Sequence, residues 1–399
     1  MDGNITYREL AEADYDTAVE YLHYAFYAGD DDDVDFSALE SMLQKDAFVP
    51  YGFYREDTLL AVMAELPIKM RVRGEIHEAM GITFLATAPE FRRKGVFSTG
   101  FSDLLELHRD RGTEFVVGRP FKQGAYDRLG FTMTTEYVSV TCGPAQLLGA
   151  VSERKGEFQR LDIEDWGEIA ALYERFSDHP LAFDRDETYW KGVVLTYMGD
   201  THFMAVWKRG DEIRGYVVYQ LIDLDGQTML REIDMGYLDY EALGHLLYYM
   251  GNHDSQVSKV RFNMPTDVPL FSLVGREGIS YKLQPGHVVR TVNVRRILEN
   301  ISYPDDLSGE VTFEVNDEIA PWNDDVFRLQ LDAGSPTCTV TDEDPTARMD
   351  VNAFTQLLTG YHDTETLEQL GKLSVEDEST RTFLERNFPE RNTFIRDEI

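Results

Sequence analysis

Residues 84–101, FLATAPEFRRKGVFSTGF, mark a change from strand to helix. An apolar strand end runs into a basic, glycine-containing turn, after which apolar residues recur at helical spacing. The first N–H groups of a helix favour negative charge, so such a turn suits the linked phosphates of a nucleotide. Arg92, Arg93 and Lys94 would neutralise the phosphates, and Gly95 would turn the backbone without the hindrance of a Cβ. Taken alone, the pattern R-x-x-G is a weak signal, because a basic helix start beside a glycine is more often a plain solvated surface, so the flanking elements matter.

The residues on the N-terminal side of this turn predict an antiparallel meander. A short strand, ITYREL, is followed by a helix with apolar residues at helical spacing, from Ala18 to Phe26. Three stretches of alternating residues, punctuated by charged turns, then run from Tyr51 to the turn itself.

On the C-terminal side the sequence predicts a helix, a strand and a tyrosine-bearing turn. Apolar residues define one face of a helix that ends near Gly112, and EFVVG reads as a strand. VVGRPFKQGAYDRLGF at 116–131 then predicts a short helix around 125–129 that carries Tyr126. This tyrosine either faces a thioester or is a packed aromatic residue whose hydroxyl is bonded to the backbone.

A second region, about 156–292, repeats this order of elements. Its helix 166–176 precedes three strands between 202 and 235, then a helix at 240–250 and the strand KVRFNMP. The equivalent strand-to-helix junction reads REIDMGYLDYEALG, in which Asp239 and Glu241 would repel a pyrophosphate. We therefore expect this copy to be structural and not to bind a nucleotide.

The character of the sequence changes after about residue 293. Alternating residues at 309–340 predict strands, MDVNAFTQLLTGY at 349–361 predicts an apolar helix, and acidic helices are expected from there to Ile399. The apolar helix either packs in a core or lines an apolar cavity.

Composition excludes several classes of function. The net charge of −34 argues against nucleic acid as a partner and would attract a cationic amine. The same acidic, lysine-poor surface is typical of a high-salt cytoplasm, and we favour that halophilic origin for the charge. No apolar run reaches the roughly 18–20 residues of a membrane span, and the polar start lacks the pattern of a secretory signal, so we expect a cytoplasmic protein. Cys142 and Cys338 lack metal-ligand spacing and should be buried thiols, so no metal site is expected.

The order of pyrophosphate turn, helix, strand and tyrosine turn resembles the GNAT acetyltransferases. Over nearly its whole length the chain looks like the enhanced intracellular survival (Eis) acetyltransferases, with TAPEFRRKGVF, GAYDRLGF, and VNVRRIL followed by MDVNAFTQLLTGY as the matching stretches. This resemblance implies an α+β fold of mixed sheets. Its domains would be a catalytic GNAT domain at 1–145, a degenerate GNAT domain at 146–292 and a domain similar to sterol carrier proteins at 293–399.

The resemblance also implies residue roles in an acetyl-CoA-dependent N-acetyltransferase. Binding of acetyl-CoA would fall to a strand end and to the basic turn with the start of its helix, namely Leu85, Ala86, Thr87, Arg92, Arg93, Lys94, Gly95, Val96 and Phe97. Phe97 departs from the family pattern, which has a small residue there. Tyr126 would be the general acid, and the terminal carboxylate of Ile399 would assist deprotonation of the amine. Asp397 and Glu398 would attract a cationic substrate or form a solvated acidic tail.

The acceptor implied by the resemblance is a small-molecule primary amine, such as an aminoglycoside, a polyamine or a lysine-like amine, and the implied assembly is a homo-hexamer. Two other hypotheses stand beside this one. The chain would be a non-catalytic module that binds acyl-CoA or a lipid, or it would transfer an aminoacyl or peptidyl group.

Overall fold

The computed structural model describes residues 5–26, 47–119, 124, 126–177, 179–195, 202–224, 226–275 and 277–397. The chain divides into two compact units. The first contains the chain up to Thr134 together with His287–Arg391, and the second contains Thr135–Gly286 with Asn392–Asp397. The three domain boundaries expected from the sequence remain a prediction.

The described residues in the N-terminal part of the first unit include six strands and two helices. The strands are β1 (Thr6–Glu9), β2 (Val49–Arg55), β3 (Thr58–Val72), β4 (Glu75–Thr87), β5 (Phe115–Gly118) and β6 (Thr132–Met133). The helices are α1 (Tyr15–Phe26) and α2 (Val96–Arg111). The predicted meander is confirmed, because β2, β3 and β4 pair antiparallel in sequence order.

The second unit follows with its own strands and helices. The strands are β7 (Glu136–Cys142), β8 (Glu157–Leu161), β9 (Phe183–Asp184), β10 (His202–Arg209), β11 (Glu212–Leu224), β12 (Gln227–Tyr237), β13 (Lys259–Met264) and β14 (Ile279–Pro285). The helices are α3 (Trp166–Phe176), α4 (Glu187–Tyr189), α5 (Tyr240–Gly251) and α6 (Leu270–Leu273).

The remaining elements complete the first unit. The strands are β15 (Val288–Thr291), β16 (Gly309–Asn316), β17 (Asp325–Asp332), β18 (Ser335–Val340), β19 (Ala347–Asp350) and β20 (Leu373–Val375). The helices are α7 (Val294–Asn300), α8 (Val351–Thr359), α9 (Thr364–Gln369) and α10 (Glu378–Asn387). The expectation of helices up to residue 399 is wrong, because the described residues after Asn387 are not helical.

The two larger sheets have the same topology. The first runs β1-β2-β3-β4-β5-β15-β6 and the second runs β8-β10-β11-β12-β13-β7-β14. Each contains a parallel pair, β4 with β5 and β12 with β13, joined by the helix α2 or α5. The repeat expected from the sequence is therefore confirmed, and so is the mixed α+β class. In each sheet one strand lies out of sequence order. β15 lies between β5 and β6 in the first sheet, and β7 lies between β13 and β14 in the second.

A five-stranded mixed sheet, β18-β17-β16-β19-β20, forms the C-terminal part of the first unit. Helix α8 packs in its core, where Phe354 stacks on Phe313 with ring centroids 6.1 Å apart. Of the two interpretations of this helix, core packing is the one that the structure supports. No helix among the described residues combines the length and the apolarity that crossing a membrane requires.

The core of the first sheet lies under α2. Phe101, Leu104 and Leu105 of α2 are fully buried, as their helical spacing predicted. They belong to one hydrophobic cluster with Met80 of β4 and Val116 of β5, which fixes the start of the helix relative to the ends of both strands.

Candidate active site

The carboxyl end of β4 carries a bulge that the sequence did not predict. Phe84 has a φ of 53°, and the pairing with β3 shifts so that Phe84 and Leu85 together face the single residue Met63. On its other edge, β4 pairs with β5 only as far as Ile82 opposite Gly118. Beyond that point, the β5-side backbone groups of β4 have no ladder partner among the described residues. The polar backbone groups on that side of β4 are candidates for contact with a bound molecule.

The predicted strand residues lie in this part of β4. Ala86 is buried, and Leu85 and Thr87 are half-buried. Leu85 is part of the bulge, and all three follow the point where β5 diverges. Their main chain, and not their side chains, is therefore the part that can contact a ligand along the strand edge.

The turn between β4 and α2 provides backbone N–H groups at a helix start. Arg93 and Gly95 both adopt left-handed φ angles, 58° and 72°. The first hydrogen bond at the start of α2 runs from Thr99 N–H to the Gly95 carbonyl at 2.9 Å. The N–H groups of the preceding first turn therefore point out of the helix. No acidic residue lies in that turn and no side chain caps it, so the positive end of the helix dipole is unopposed.

The three cationic side chains of the turn, Arg92, Arg93 and Lys94, are exposed. Arg92 Nε donates to the carbonyl of Thr87 at 3.0 Å, which ties the turn to the end of β4. The Arg92 guanidinium carbon also lies 5.1 Å from the ring centroid of Tyr24, and Lys94 Nζ lies 5.7 Å from that of Phe91. The N-terminal end of α2 and the side chains around it are thus all positive, and positive charge favours the binding of a pyrophosphate.

Phe97 links this turn to the predicted general acid. Its half-buried ring lies 5.4 Å from Phe53 and 6.3 Å from Tyr126, between ring centroids. The Phe97 side chain therefore points into the core. Although the family has a small residue at this position, the phenylalanine does not cover the solvent-facing side of the first turn of α2. Val96 beside it is buried.

Tyr126 stands at the start of a short 3₁₀ turn, Asp127–Leu129, and is 8% exposed. The turn closes by bonds from the Leu129 and Phe131 amides to the Tyr126 carbonyl, at 2.9 and 3.3 Å. Within the part of the chain that the structure describes, no group hydrogen-bonds the Tyr126 hydroxyl. Burial raises its pKa, so the phenol is protonated at neutral pH and able to donate a proton. The alternative interpretation of Tyr126 therefore holds in part. The ring is packed, but no backbone group of the described residues bonds its hydroxyl.

The second candidate catalytic residue, Ile399, lies outside the described residues, as does Glu398. Asp397 belongs to the second unit, where its side chain is 2% exposed and accepts from Arg185 at 2.8 Å. The expectations of a solvated tail or of a substrate attractor at Asp397 are therefore both wrong, because this carboxylate is buried against a guanidinium. No sequence pattern predicts this pairing, since Arg185 is remote along the chain.

The second unit shows what an occupied helix start looks like. The Asp239 side chain accepts from the Ala242 amide at 2.8 Å, and Glu241 lies in the first turn of α5. Although partial burial opposes ionisation, that amide and Arg214 hold the pKa of Asp239 below its usual value. A carboxylate thus takes the place that an anion would occupy.

Among the described residues, no group of three or more His, Cys, Asp or Glu side chains is arranged to hold a metal ion. Both cysteines are free and buried, as expected.

Comparisons with known proteins identify three regions. Two Acetyltransferase (GNAT) domain families match residues 6–134 and 181–294, and the Sterol carrier protein domain family matches 294–396. The N-acetyltransferase Eis of Mycobacterium tuberculosis is 24% identical over 331 residues, which are 78% of this chain and 78% of that protein.

Solved structures share the fold along the whole chain. A GCN5-related N-acetyltransferase from Anabaena variabilis has a TM-score of 0.86 and 19% identity, covering 99% of this chain and 100% of that chain. Eis1 from Mycobacterium abscessus has a TM-score of 0.76 and 18% identity over the same shares of the two chains. The tandem of two GNAT folds and a third, C-terminal part therefore has counterparts of known structure.

Proposed function

Because the chain is an Eis-like N-acetyltransferase of the GNAT superfamily, with a sterol carrier protein domain after its two GNAT domains, we propose specific roles for the residues of the first unit. The turn at residues 92–95 and the first turn of α2 bind the pyrophosphate of acetyl-CoA, the co-substrate of GNAT acetyltransferases. The observation that carries this proposal is the acid-free start of α2 behind the left-handed Gly95. The second unit, capped by Asp239, does not bind the nucleotide.

The chemistry proposed for the first unit is direct acyl transfer. The β4 main chain at Leu85, Ala86 and Thr87 binds the pantetheine arm and orients the acetyl carbonyl. A backbone N–H of the bulge stabilises the negative charge that develops on the carbonyl oxygen. As the amine nitrogen bonds to the carbonyl carbon, the carbon–sulfur bond breaks, and the Tyr126 hydroxyl gives its proton to the sulfur. The phenolate regains a proton from solvent. The raised pKa of Tyr126 supports this role, since it keeps the proton in place until the thiolate forms.

The attacking amine must lose a proton, and we assign that step to the terminal carboxylate of Ile399. An α-carboxyl group has a pKa near 3.5 and an amine one near 10, so the carboxylate works through a water or on a desolvated amine. The resemblance to the Eis acetyltransferases, in which the terminal carboxylate has this role, supports the assignment.

The proposed acceptor is a cationic small molecule with a primary amine, such as an aminoglycoside, a polyamine or a lysine-like compound. The net charge of −34 supports this choice, because it concentrates cations around the protein. The same charge supports the proposal that the protein is halophilic and acts in a cytoplasm of high salt. The resemblance to the Eis acetyltransferases supports a homo-hexamer.

The test is an amine panel with acetyl-CoA at high salt, in which release of the CoA thiol is followed for the wild type and for Tyr126→Phe. We expect Tyr126→Phe to lower kcat by about 10²–10⁴-fold, the usual contribution of a general acid, while the Kd for acetyl-CoA changes less than about twofold. Tyr303→Phe is the matched control, since it removes another buried hydroxyl, one that donates to Leu298 O at 2.8 Å.

Two results would contradict the proposal. If Tyr126→Phe has the wild-type rate, Tyr126 is not the general acid. If calorimetry detects no heat when folded protein is mixed with acetyl-CoA, the proposed pyrophosphate site is wrong. A chain lacking its last two residues tests the base separately: an unaltered rate means that the Ile399 carboxylate takes no part.

A further inference from the structure

The turn that carries Tyr126 is held from outside by residues that come much later in the chain. From this we infer that Asn352 of α8 and Arg290 of β15 are positioning residues for the general acid, and that the C-terminal part of the first unit serves the acetyl transfer as a scaffold. The inference rests on the proposed role of Tyr126. Both residues lie with Tyr126 in the first unit.

Asn352 bonds the turn at two points. Its Nδ2 donates to the carbonyls of Asp127 and Phe131, at 3.2 and 3.0 Å, with one amide group satisfying both ends of the turn. A side-chain amide carries two donor hydrogens, so a single Asn can make both bonds at once. Asn352 itself is fixed, because it lies in the first turn of α8, which Asp350 caps by accepting from the Ala353 amide at 2.7 Å.

Arg290 holds the middle of the same turn. This side chain is fully buried, and its Nε donates to the Leu129 carbonyl at 3.0 Å. The other end of the guanidinium is anchored to both oxygens of Asp317, at 2.7 and 2.6 Å. The approach is close enough to require glycine at the next position: a Cβ on Gly130, whose φ is 79°, would lie 2.6 Å from Arg290 Nε.

The segment around Asp317 also contacts the helix of the pyrophosphate turn. Asp317 accepts from the amides of Ile319 and Ala320, at 3.2 and 3.1 Å, which shapes this segment. Ser102 of α2 then donates to the Ile319 carbonyl at 3.2 Å, and the Arg109 guanidinium carbon lies 4.5 Å from the Trp322 ring centroid. The general acid and the nucleotide-binding helix are therefore both fixed to the same C-terminal residues.

This outside support matters because Tyr126 has little of its own. Its hydroxyl makes no hydrogen bond within the described residues, so its position depends on aromatic packing and on the turn beneath it. The ring centroids of Phe97 and Phe131 lie 6.3 and 5.4 Å from its own. Proton transfer to the departing sulfur is sensitive to placement, and an error of about 1 Å is able to cost about 10²-fold in rate.

The test replaces Asn352 by alanine and, separately, by aspartate. The alanine variant removes both donors. Asn352→Asp also removes them and places a carboxylate beside the two carbonyl oxygens, which it repels, while the helix dipole stabilises its charge in the first turn of α8. Thermal unfolding of both variants shows that a change in kcat is measured on folded protein. Asn387→Ala is the matched control, since it removes an amide that donates to a carbonyl, Phe383 O at 2.8 Å, elsewhere in the same unit.

We expect both Asn352 variants to lower kcat by about tenfold or more, an estimate from the cost of misplacement, with the acetyl-CoA Kd unchanged within about twofold. Hydrogen exchange of the amides of residues 127–133 should become faster in both, with or without acetyl-CoA. Asn387→Ala should change neither kcat nor this exchange.

A cycle with Tyr126→Phe separates the inference from the proposed function. In the Tyr126→Phe background, Asn352→Ala should cause no further loss of kcat, because no acid is left to misplace. If Asn352→Ala lowers kcat equally in both backgrounds, or leaves the wild-type kcat and exchange unaltered, the positioning role is overturned. If Tyr126→Phe alone retains full activity, it is the proposed function that fails.

Discussion

Removing the Asp397 carboxylate should detach the C-terminal segment from the second unit. Asp397 and Asp234 share the guanidinium of Arg185, with N–O distances of 2.8 and 2.7 Å and side chains 1–2% exposed. In Asp397→Ala, Arg185 keeps Asp234 but its Nε loses its acceptor in a place that water does not reach.

The magnitude follows from that geometry. Breaking a buried ion pair by removing one partner costs about 3–5 kcal/mol when the other charge is left alone. Here Asp234 remains, so the cost should lie nearer to that of one unsatisfied charged donor, about 2–3 kcal/mol. A free energy of this size raises the open fraction of the segment by about 30–150-fold.

Two measurements test this value. Hydrogen exchange of residues 392–397 should accelerate by about that factor, since exchange from locally opened states follows the opening free energy. Carboxypeptidase should also remove the chain end faster. Glu187→Ala is the control, because its i,i+4 pair with Lys191 is exposed and worth only about 0.3–0.5 kcal/mol. Equal exchange of residues 392–397 in Asp397→Ala and the wild type would refute the reasoning.

Three further predictions concern the turn, the thiols and acid stability. Gly95→Ala should weaken acetyl-CoA binding about tenfold or more, since a φ of 72° strains any Cβ by about 1–2 kcal/mol. Calorimetry should find no such change for Gly210→Ala, which has a φ of 64° and open space around it. Burial raises the pKa of the Cys142 thiol to about 11 and that of Cys338 to about 12. A disulfide reagent at pH 8 should therefore react with neither thiol until the protein is unfolded, and rapid labelling of the native chain would contradict this. Burial alone would raise the pKa of Asp234, but Arg185 overrides it and holds the native pKa below 3.8. The stability lost in Asp234→Asn should thus be full above about pH 4 and shrink as the pH falls through the lower native value, in denaturant titrations at several pH values.

The parts of the fold that local periodicity determines could be predicted from the sequence. The buried face of α2, with Phe101, Leu104 and Leu105, follows directly from residue spacing, as do the meander and the repeated order of elements. The basic turn was predicted because charge and glycine are adjacent along the chain, and in the structure Gly95 adopts a left-handed φ.

The features that depend on distant partners could not be predicted. The bulge at Phe84 is set by how β4 registers against Met63, and no glycine marks its positive φ. The pairing of Asp397 with Arg185 joins residues that no spacing relates. Likewise, Arg290 stands in the ordinary strand pattern VVRT, and only its contact with the Leu129 carbonyl reveals its link to the tyrosine turn.

The late arrival of β15 in the first sheet has a consequence for synthesis on the ribosome. When the chain has emerged as far as β6, the neighbour that β5 pairs with on that side does not yet exist, and β5 presents a bare edge. The N-terminal GNAT half therefore waits for residues 288–291 before its sheet closes, while the second sheet has all its strands slightly earlier. Nascent chains halted between these points should depend on chaperones, and a gene fragment cut after the first half should give an aggregating product.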